Sequence, residues 1–204
     1  MNHQVPPARP HQKLTEDGRR MREVLSYSRR GSRFTPSQQQ AGCGVGEATG
    51  ILAAARPECN VLALEVWRPG VAASLAEVAA AGADNVRFCS VDAVWSLEHL
   101  VAPAGLEELW TFFPDPWPKA RHHKRRLVQP EFAALVASRL RPGGVWRLAT
   151  DWAPYAEHML ETLDAEPGLE GGRVERWSDR PVTKFERKGL AVGREITDLL
   201  YRRV

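Results

Sequence analysis

Short apolar runs and longer amphipathic stretches alternate along the chain. The run Asn60–Val66 (NVLALEV) has the length of a strand and is almost entirely apolar, and Asn85–Cys89 and Leu106–Phe113 are further runs of this kind. Gly70–Ala81 and Gln129–Leu140 have the length of helices, and the second of them ends at the stop signal Arg-Pro-Gly-Gly. Because strands alternate with helices, the pattern predicts an α/β fold with a doubly wound, mostly parallel sheet.

The remaining predicted elements continue this alternation. They are helices at Glu47–Ala55, Ala93–Val101 and Ala153–Leu163, and strands at Val145–Ala149, Arg173–Trp177 and Glu195–Tyr201. The polar segment Gly31–Gln40 contains Gly and Pro and is predicted to be a loop. In doubly wound sheets, ligands bind beside the carboxyl ends of the strands, so the residues just after each strand are the candidates for chemistry.

The length of the chain is that of one domain. Its 204 residues suffice for a single α/β domain with a sizeable core. The N-terminus is rich in Pro, His and Gln, which predicts a disordered tail over residues 1–20 and one domain over residues 21–204. The N-terminus also lacks the apolar stretch of a secretory signal, and no run approaches the roughly 20 apolar residues of a membrane span.

The residues that most often bind metals do not have metal-site spacing. Cys43, Cys59 and Cys89 form no CxxC pair, and the adjacent His122 and His123 have no acid or Cys at ligand spacing. The sequence therefore predicts a protein without a metal, in the reducing cytoplasm and away from membranes. It is compatible with a monomer and with a homodimer.

Basic residues are clustered although the overall charge is small. The formal net charge is +3, from 28 basic and 25 acidic residues, which by itself does not indicate a nucleic-acid partner. One cluster lies within residues 19–33 and another within residues 119–126. Such clusters can follow a phosphate backbone, and they are equally typical of a solvated charged surface.

A glycine-rich turn opens the predicted helix at Glu47. Gly42, Gly44 and Gly46 allow the backbone to approach a ligand, and the helix start offers free N–H groups. Glu65 ends the NVLALEV strand 23 residues after Gly42, a spacing at which an acid commonly binds ribose hydroxyls. Taken singly, the glycines could form a plain turn and Glu65 could be an exposed carboxylate. Together, the glycine-rich turn and Glu65 favour a nucleotide-like cofactor.

Three further acids follow predicted strands. Asp92 and Asp151 each precede a helix, so each is a candidate ligand-binding acid or only an N-cap. Asp115 lies in Phe113–Trp117 (FPDPW), where two prolines fix the backbone and the tryptophan can stack on a base; a rigid turn with a packed Trp is the alternative. The basic run that begins at Lys119 follows directly and places positive charge beside the predicted cleft. This contiguity is the most specific signal in the chain.

With these residues assembled, the chain resembles the bacterial tRNA (guanine-N7)-methyltransferase family. The matching stretches are ALEVWRPGV (Ala63–Val71), FFPDPWPKARHHKRRLVQPEF (Phe112–Phe132), LATDWAPYAEHML (Leu148–Leu160) and RPVTKFERKGL (Arg180–Leu190), and SYSRRGSRFTPSQQ (Ser26–Gln39) resembles the family's N-terminal segment. The resemblance implies a Rossmann-like class I methyltransferase fold that uses S-adenosylmethionine. It also implies methylation of a guanine at N7 in the variable loop of tRNA.

The resemblance assigns roles to individual residues. Glu65, Asp92 and Asp115 match cofactor-binding positions beside the glycines of the turn, and Asp115 also matches the residue assigned to catalysis. Guanine N7 has a free lone pair, so we expect Asp115 to orient and stabilise charge, not to remove a proton. The positions that match substrate-binding and RNA-contact residues of the family are Lys119, Arg121, Lys124, Arg125, Arg126, Asp151, Thr183, Lys184, Phe185 and Glu186.

The chain departs from the family pattern immediately before the glycine-rich turn. In the family, a buried strand with a cofactor-contacting acid leads into this turn, whereas Gln38–Ala41 contains neither an apolar run nor an acid. The predicted sheet therefore lacks its first strand, and we expect weakened binding of S-adenosylmethionine. A deletion, a degraded relative that still binds RNA, and replacement of the strand from elsewhere in the chain are all open explanations.

Two other functions are compatible with parts of this pattern. One is a catalytically impaired tRNA-binding relative, because the motifs on the RNA side are intact and those on the cofactor side are not. The other is a small-molecule methyltransferase of the same fold. The basic run beside Asp115 argues against the small-molecule enzyme, because such an enzyme has no need of it.

Overall fold

Seven strands form one sheet in the order β3-β2-β1-β4-β5-β7-β6. The computed structural model describes residues 38–44 and 46–204. Strands β1 to β5 run parallel to one another, and β7 and β6 extend the sheet beyond β5 in antiparallel fashion. This confirms the predicted α/β fold with a mostly parallel sheet. The strands are β1 Gln38–Ala41, β2 Val61–Leu64, β3 Val86–Cys89, β4 Leu106–Phe112, β5 Leu140–Thr150, β6 Leu169–Val174 and β7 Thr197–Arg203.

Helices connect the parallel strands. They are α1 Glu47–Ala54, α2 Arg68–Ala80, α3 Ala93–His99, α4 Pro130–Arg139, α5 Ala153–Asp164 and α6 Lys184–Ala191, and a 3₁₀ helix spans Ala120–Arg125. Proline stands in the first turn of α2, α4 and α5, where its missing N–H would have no partner in any case. Among the described residues, no helix has both the length and the apolar character needed to span a membrane.

The predicted absence of a first strand is wrong. Gln38–Ala41 forms β1 at the centre of the sheet, in parallel register with β2 on one side and β4 on the other. These residues were expected to lie in a loop because they are polar. Both neighbouring strands present backbone donors and acceptors to the gap, however, and hydrogen bonds to the peptide groups do not depend on side-chain polarity.

The core lies on both faces of the sheet. Successive residues of a strand point to opposite faces, so Leu109 of β4 belongs to the apolar cluster with α4 and α5, and Trp110 belongs to the cluster with α1 and α2. Leu148 and Ala149 of β5 divide between the clusters in the same way. This double covering is what an almost wholly apolar strand such as β2 predicts.

The C-terminal part contains a helix that the apolar pattern does not predict. Helix α6 begins after Thr183, whose Oγ1 accepts a hydrogen bond from Glu186 N at 3.4 Å. The spacing Thr-x-x-Glu is a helix-start signal, so α6 was predictable from local sequence. The predicted strands Arg173–Trp177 and Glu195–Tyr201 correspond to β6 and β7 with shifted bounds. The predicted tail over residues 1–20 and the beginning of the predicted domain over residues 21–204 lie outside the described residues.

Candidate active site

A cavity of about 490 Å³ lies at the carboxyl ends of β1, β2, β3 and β4. The glycine-rich turn, the segments that follow β2, β3 and β4, and the start of α6 form its walls. Its size is that of pockets which hold cofactors and other small molecules, roughly 300–1,000 Å³. The location is the one at which doubly wound sheets bind their ligands.

The glycine-rich turn depends on left-handed backbone conformations. Gly42, Gly44 and Gly46 have φ angles of 69°, 58° and 82°, which side chains disfavour. Gly42 and Gly44 line the cavity. Gly46 has a packing role as well, because a Cβ atom there would lie 2.5 Å from Ser74 Cα. The turn is thus held against α2.

Glu65 connects the end of β2 to the glycine-rich turn. Its carboxylate accepts hydrogen bonds from Gly44 N and from Trp67 N, each at 2.8 Å, and it lines the cavity. Each carboxylate oxygen can accept a second hydrogen bond, so a ligand hydroxyl can still bind. The side chain is half-buried and therefore differs from the exposed strand-end carboxylate that was the simpler reading.

The two acids that could have been N-caps have different surroundings. Asp92 caps α3, accepting from Trp95 N at 2.9 Å, and it also lines the cavity. Asp151 caps no helix; its Oδ2 accepts a hydrogen bond from Arg194 Nη1 at 2.7 Å. Because Asp151 is not among the residues that form the cavity wall, its predicted contact with substrate would be made at the rim.

Asp115 lies at the mouth of the cavity in a strained turn. Phe113 and Trp117 flank it with φ angles of 52° and 44°, which are unusual for bulky residues and are found where the surroundings enforce them. Phe113 N donates to Ala149 O at 2.7 Å. The carboxylate of Asp115 is exposed and has no hydrogen bond or ion pair to any residue of the described part. The turn therefore fixes the backbone while the carboxylate remains available to a ligand.

The basic run beside this turn is largely exposed. Arg125 lines the cavity, and its guanidinium lies 5.0 Å from the centre of the Trp117 ring. Desolvation, followed by the charges of Arg125 and its basic neighbours, lowers the pKa of His122, so this imidazole is neutral near pH 7. The positive charge therefore comes from the exposed side chains of Lys119, Arg121, Lys124 and Arg125.

Arg126 differs from the prediction of an RNA contact. Its side chain is only 4% exposed, its Nε donates to Pro116 O at 2.9 Å, and its guanidinium packs on the Tyr155 ring at 4.9 Å. A buried guanidinium cannot reach a phosphate on the surface. Arg126 instead supports the turn that carries Asp115.

The predicted substrate residues of the segment Thr183–Glu186 point in different directions. Thr183 and Phe185 line the cavity, and Lys184 is exposed at the start of α6. Glu186 differs from the prediction, because its side chain is 2% exposed and accepts from Arg180 Nη1 at 2.6 Å. This carboxylate lies in the protein interior and does not line the cavity.

Arg180 is the centre of a buried ion-pair network that sequence reasoning did not single out. Its Nε and Nη2 donate to the two carboxylate oxygens of Asp198, both at 2.9 Å, and it also pairs with Glu186. The guanidinium lies 5.8 Å from the Phe112 ring centre and 5.5 Å from that of Phe113. Arg180 therefore connects α6 and β7 to the strand end that leads to Asp115. Local sequence contains no signal for this, because Asp198 belongs to β7 and the two phenylalanines to the end of β4.

The charge of the cavity wall suits a cationic ligand. Its acidic side chains are Glu47, Glu65, Asp92 and Asp115, and its only basic side chain among the described residues is Arg125. Acids that surround a concave site attract positive charge. S-adenosylmethionine carries a sulfonium and an ammonium group, so the residues present fit the cofactor that the resemblance implies.

Cys43 lines the same cavity and is expected to be unreactive at neutral pH. Burial raises the pKa of its thiol from 9.0 to about 11, against a weaker opposing effect of the hydrogen bond with Ser74. The thiolate fraction at pH 8 is therefore about 100-fold below that of the unfolded chain. Alkylation followed by mass spectrometry should show Cys43 reacting only as the pH approaches 11. Modification of Cys43 at pH 8 as fast as in urea would contradict this.

The fold is that of class I S-adenosylmethionine-dependent methyltransferases. The 16S rRNA methyltransferase KamB superposes with a TM-score of 0.59 at 17% identity, over 94% of this chain and 95% of that one. The aminoglycoside resistance methyltransferase NpmB1 superposes with a TM-score of 0.55 at 16% identity, over 92% and 93%. At these identities the likeness concerns the fold alone.

Sequence comparison identifies the family. A family profile described as "Putative methyltransferase" matches residues 35–199. A tRNA (guanine-N(7)-)-methyltransferase of Nocardioides is 61% identical over 98% of this chain and 95% of its own length. The enzymes of the same name from Cutibacterium acnes and Pseudomonas aeruginosa are 52% and 49% identical, over 84% and 89% of this chain and 64% and 77% of their own lengths. The chain belongs to the tRNA (guanine-N7)-methyltransferase family.

The comparison with the Nocardioides protein also bears on the departure before the glycine-rich turn. That alignment extends over 235 residues, which exceeds the 204 residues of this chain by 31. At least 31 aligned positions are therefore present in the relative and absent from this chain. An internal deletion agrees with this, and β1 shows that the centre of the sheet is nevertheless occupied.

Proposed function

We propose that this chain transfers a methyl group from S-adenosylmethionine to N7 of a guanine in the variable loop of tRNA, in the cytoplasm. The 61% identity with a tRNA (guanine-N(7)-)-methyltransferase over 98% of the chain carries the proposal. The acidic cavity beside an exposed basic run supports it, because the cofactor is cationic and the RNA is anionic.

On the cofactor side, the glycine-rich turn and the strand-end acids are the binding residues. S-adenosylmethionine supplies an electrophilic methyl group on its sulfonium when bound. Gly42 and Gly44 allow close approach of the backbone, Glu65 offers its remaining lone pairs to hydroxyl groups, and Asp92 provides an acceptor beside β3.

At the reacting end, Asp115 is the proposed catalytic residue. Guanine N7 needs no deprotonation, so in-line positioning of the reacting atoms is the main requirement, and it can supply up to about 7–11 kcal/mol. The carboxylate stabilises the positive charge that develops on the imidazole ring of the guanine. Phe113 and Trp117 hold the turn in the strained conformation that presents this carboxylate.

On the RNA side, we assign the phosphate contacts to exposed side chains. The cavity-lining Thr183 and Phe185 and the rim acid Asp151 are assigned to the guanine and its surroundings. The side chains assigned to the phosphates are those of Lys119, Arg121, Lys124, Arg125 and Lys184.

The alternative of a catalytically impaired relative is not favoured. Its basis was the missing first strand, and the expected weak binding of S-adenosylmethionine had the same basis. With β1 between β2 and β4, the glycine-rich turn emerges from a strand in the usual way. Calorimetry with S-adenosylmethionine decides the matter, because millimolar or undetectable binding would restore the alternative.

The direct test uses unmodified tRNA and a labelled methyl donor. We expect stoichiometric incorporation as 7-methylguanine, and aniline cleavage after reduction should map it to the variable loop. A tRNA with adenine at that position should accept no methyl group. Incorporation at a different loop would reject the variable-loop assignment alone, whereas tight binding of tRNA without incorporation would indicate the impaired relative.

Neutralising one side chain of the basic run should weaken tRNA binding in a salt-dependent way. Lys124→Ala is expected to lower tRNA affinity and to reduce the slope of log K against log salt by about 1. Fluorescence anisotropy over a salt series measures both quantities. Arg141→Ala is the control, because Arg141 is exposed and lies at the amino-terminal end of β5, whereas the cavity lies at the carboxyl ends of the strands. An equal change of slope in both variants would reject the assignment of the run to phosphates.

A further inference from the structure

We propose that Glu47 couples cofactor binding to tRNA binding by holding the start of α6 against the glycine-rich turn. The inference rests on the proposed function, since it takes the cavity as the cofactor site and α6 as part of the RNA side. It concerns a residue outside the strand-end acids and outside the basic run.

Glu47 forms a direct connection between the two sides of the cavity. It is the first residue of α1, and its side chain lines the cavity at 24% exposure. Its Oε2 accepts from Lys184 N at 2.7 Å, and its Oε1 accepts from Arg187 Nη2 at 2.9 Å. One carboxylate thus lies at the N-termini of two helices, α1 and α6, and both helix dipoles favour a negative charge there.

A second contact at the same place is apolar. A Cβ atom on Gly44 would lie 3.6 Å from Cε2 of Phe185, so the phenyl ring packs on the turn. Gly44 N in turn donates to Glu65 at 2.8 Å. The start of α6 therefore rests on the backbone that a cofactor must contact.

Two other residues of α6 are anchored independently of Glu47. Glu186 is bound by Arg180, and Gly189 packs against the Asp151 side chain, with its built Cβ position 3.1 Å from Asp151 Cβ. Within the first turn, Glu47 holds the Lys184 backbone and the Arg187 side chain, whereas Arg180 holds Glu186. Phe185 of this turn lines the cavity, and the cations of α6, Lys184, Arg187 and Lys188, are exposed.

These contacts make the two binding events mutually dependent. A ligand that orders the glycine-rich turn also orders the first turn of α6. RNA bound to α6 orders the glycine-rich turn in the same way. Such coupling is reciprocal by thermodynamic necessity, and its usual size is about 5- to 150-fold in affinity.

The test measures affinities of the full chain for unmodified tRNA and for S-adenosylhomocysteine. In the unsubstituted protein, saturating S-adenosylhomocysteine is expected to tighten tRNA binding about tenfold, and saturating tRNA to tighten S-adenosylhomocysteine binding equally. In Glu47→Gln, both factors should fall to about twofold or less. Arg187→Met removes one of the two bonds and should give an intermediate factor.

The control variant is Glu131→Gln. Glu131 is exposed and lies in the first turn of α4, just as Glu47 lies in the first turn of α1. Glu131 has no hydrogen bond or ion pair to the described residues. Both substitutions remove one negative charge, so both raise the general attraction to RNA by similar amounts. Only Glu47→Gln should change the coupling, and thermal unfolding verifies that the variants are folded.

Two results would overturn the inference: coupling in Glu47→Gln equal to that of the unsubstituted protein, or no coupling in the unsubstituted protein. Methyl transfer to tRNA by the same preparations tests the proposed function separately. Transfer without coupling would reject only the role of Glu47. Absence of both transfer and tRNA binding would reject the proposed function itself.

Discussion

Replacing Asp115 by asparagine is expected to slow methyl transfer by about 100- to 1,000-fold, the usual effect of removing one preorganised electrostatic group. The Kd for tRNA should remain nearly unchanged, and the Kd for S-adenosylhomocysteine should rise by much less than the rate falls. Asparagine keeps the size of the side chain and removes the charge. Because the Asp115 carboxylate is exposed and has no partner in the described part, the substitution leaves no buried group unpaired, and stability should be unaffected.

Single-turnover rates with saturating cofactor and tRNA isolate the chemical step from binding and product release. Asp84→Asn is the matched control, because Asp84 is an exposed acid just before the amino-terminal end of β3, whereas the cavity lies at the carboxyl ends of the strands. Full turnover by Asp115→Asn would exclude electrostatic stabilisation. A loss of cofactor affinity as large as the loss of rate would show that Asp115 mainly binds the cofactor.

The parallel sheet was predictable because a strand that is buried on both faces has a continuous apolar sequence. Val61–Leu64 is apolar at every position, and all four side chains are buried, as β2 lies between β1 and β3 and is covered on both faces. β1 (Gln38–Ala41) has no apolar run by which it could be predicted. Its position is determined by backbone pairing with β2 and β4, which does not depend on the side chains.

The strand-end acids were predictable for a topological reason. The carboxyl ends of parallel strands lie at one edge, so Glu65, Asp92 and Asp115 had to come close together if each followed a strand. All three line the cavity. The local sequence does not show that such an acid also binds the protein backbone, since the hydrogen bond from Gly44 N to Glu65 forms only in the folded turn.

Burial of single charged residues was not predictable from position in a motif. Arg126 ends a run of exposed cations, and Glu186 stands in a segment whose other members face the cavity or solvent. Both are interior because the fold brings partners onto them: Tyr155 and Pro116 for Arg126, and Arg180 for Glu186. A sequence motif therefore records that a residue is needed, but not whether it contacts the substrate or supports those that do.

The buried ion-pair network around Arg180 leads to the largest expected effect on stability. Arg180→Met should lower the free energy of unfolding by about 3–5 kcal/mol, because it leaves buried carboxylates without their partner. Among the described residues, Asp198, at 7% exposure, would keep no ion-pair partner, and Glu186 would keep only Arg176. Urea denaturation followed by tryptophan fluorescence measures the change.

Two further variants separate burial of charge from loss of a salt bridge in general. Arg141→Met breaks an exposed pair with Glu107 and should change stability by less than about 1 kcal/mol. Adding Asp198→Leu to Arg180→Met removes the unpaired carboxylate and should recover part of the loss, because apolar side chains can replace a buried ion pair. If Arg180→Met were as stable as Arg141→Met, the network would contribute no net stability. Its function would then be confined to fixing α6 and Phe113 beside the cavity.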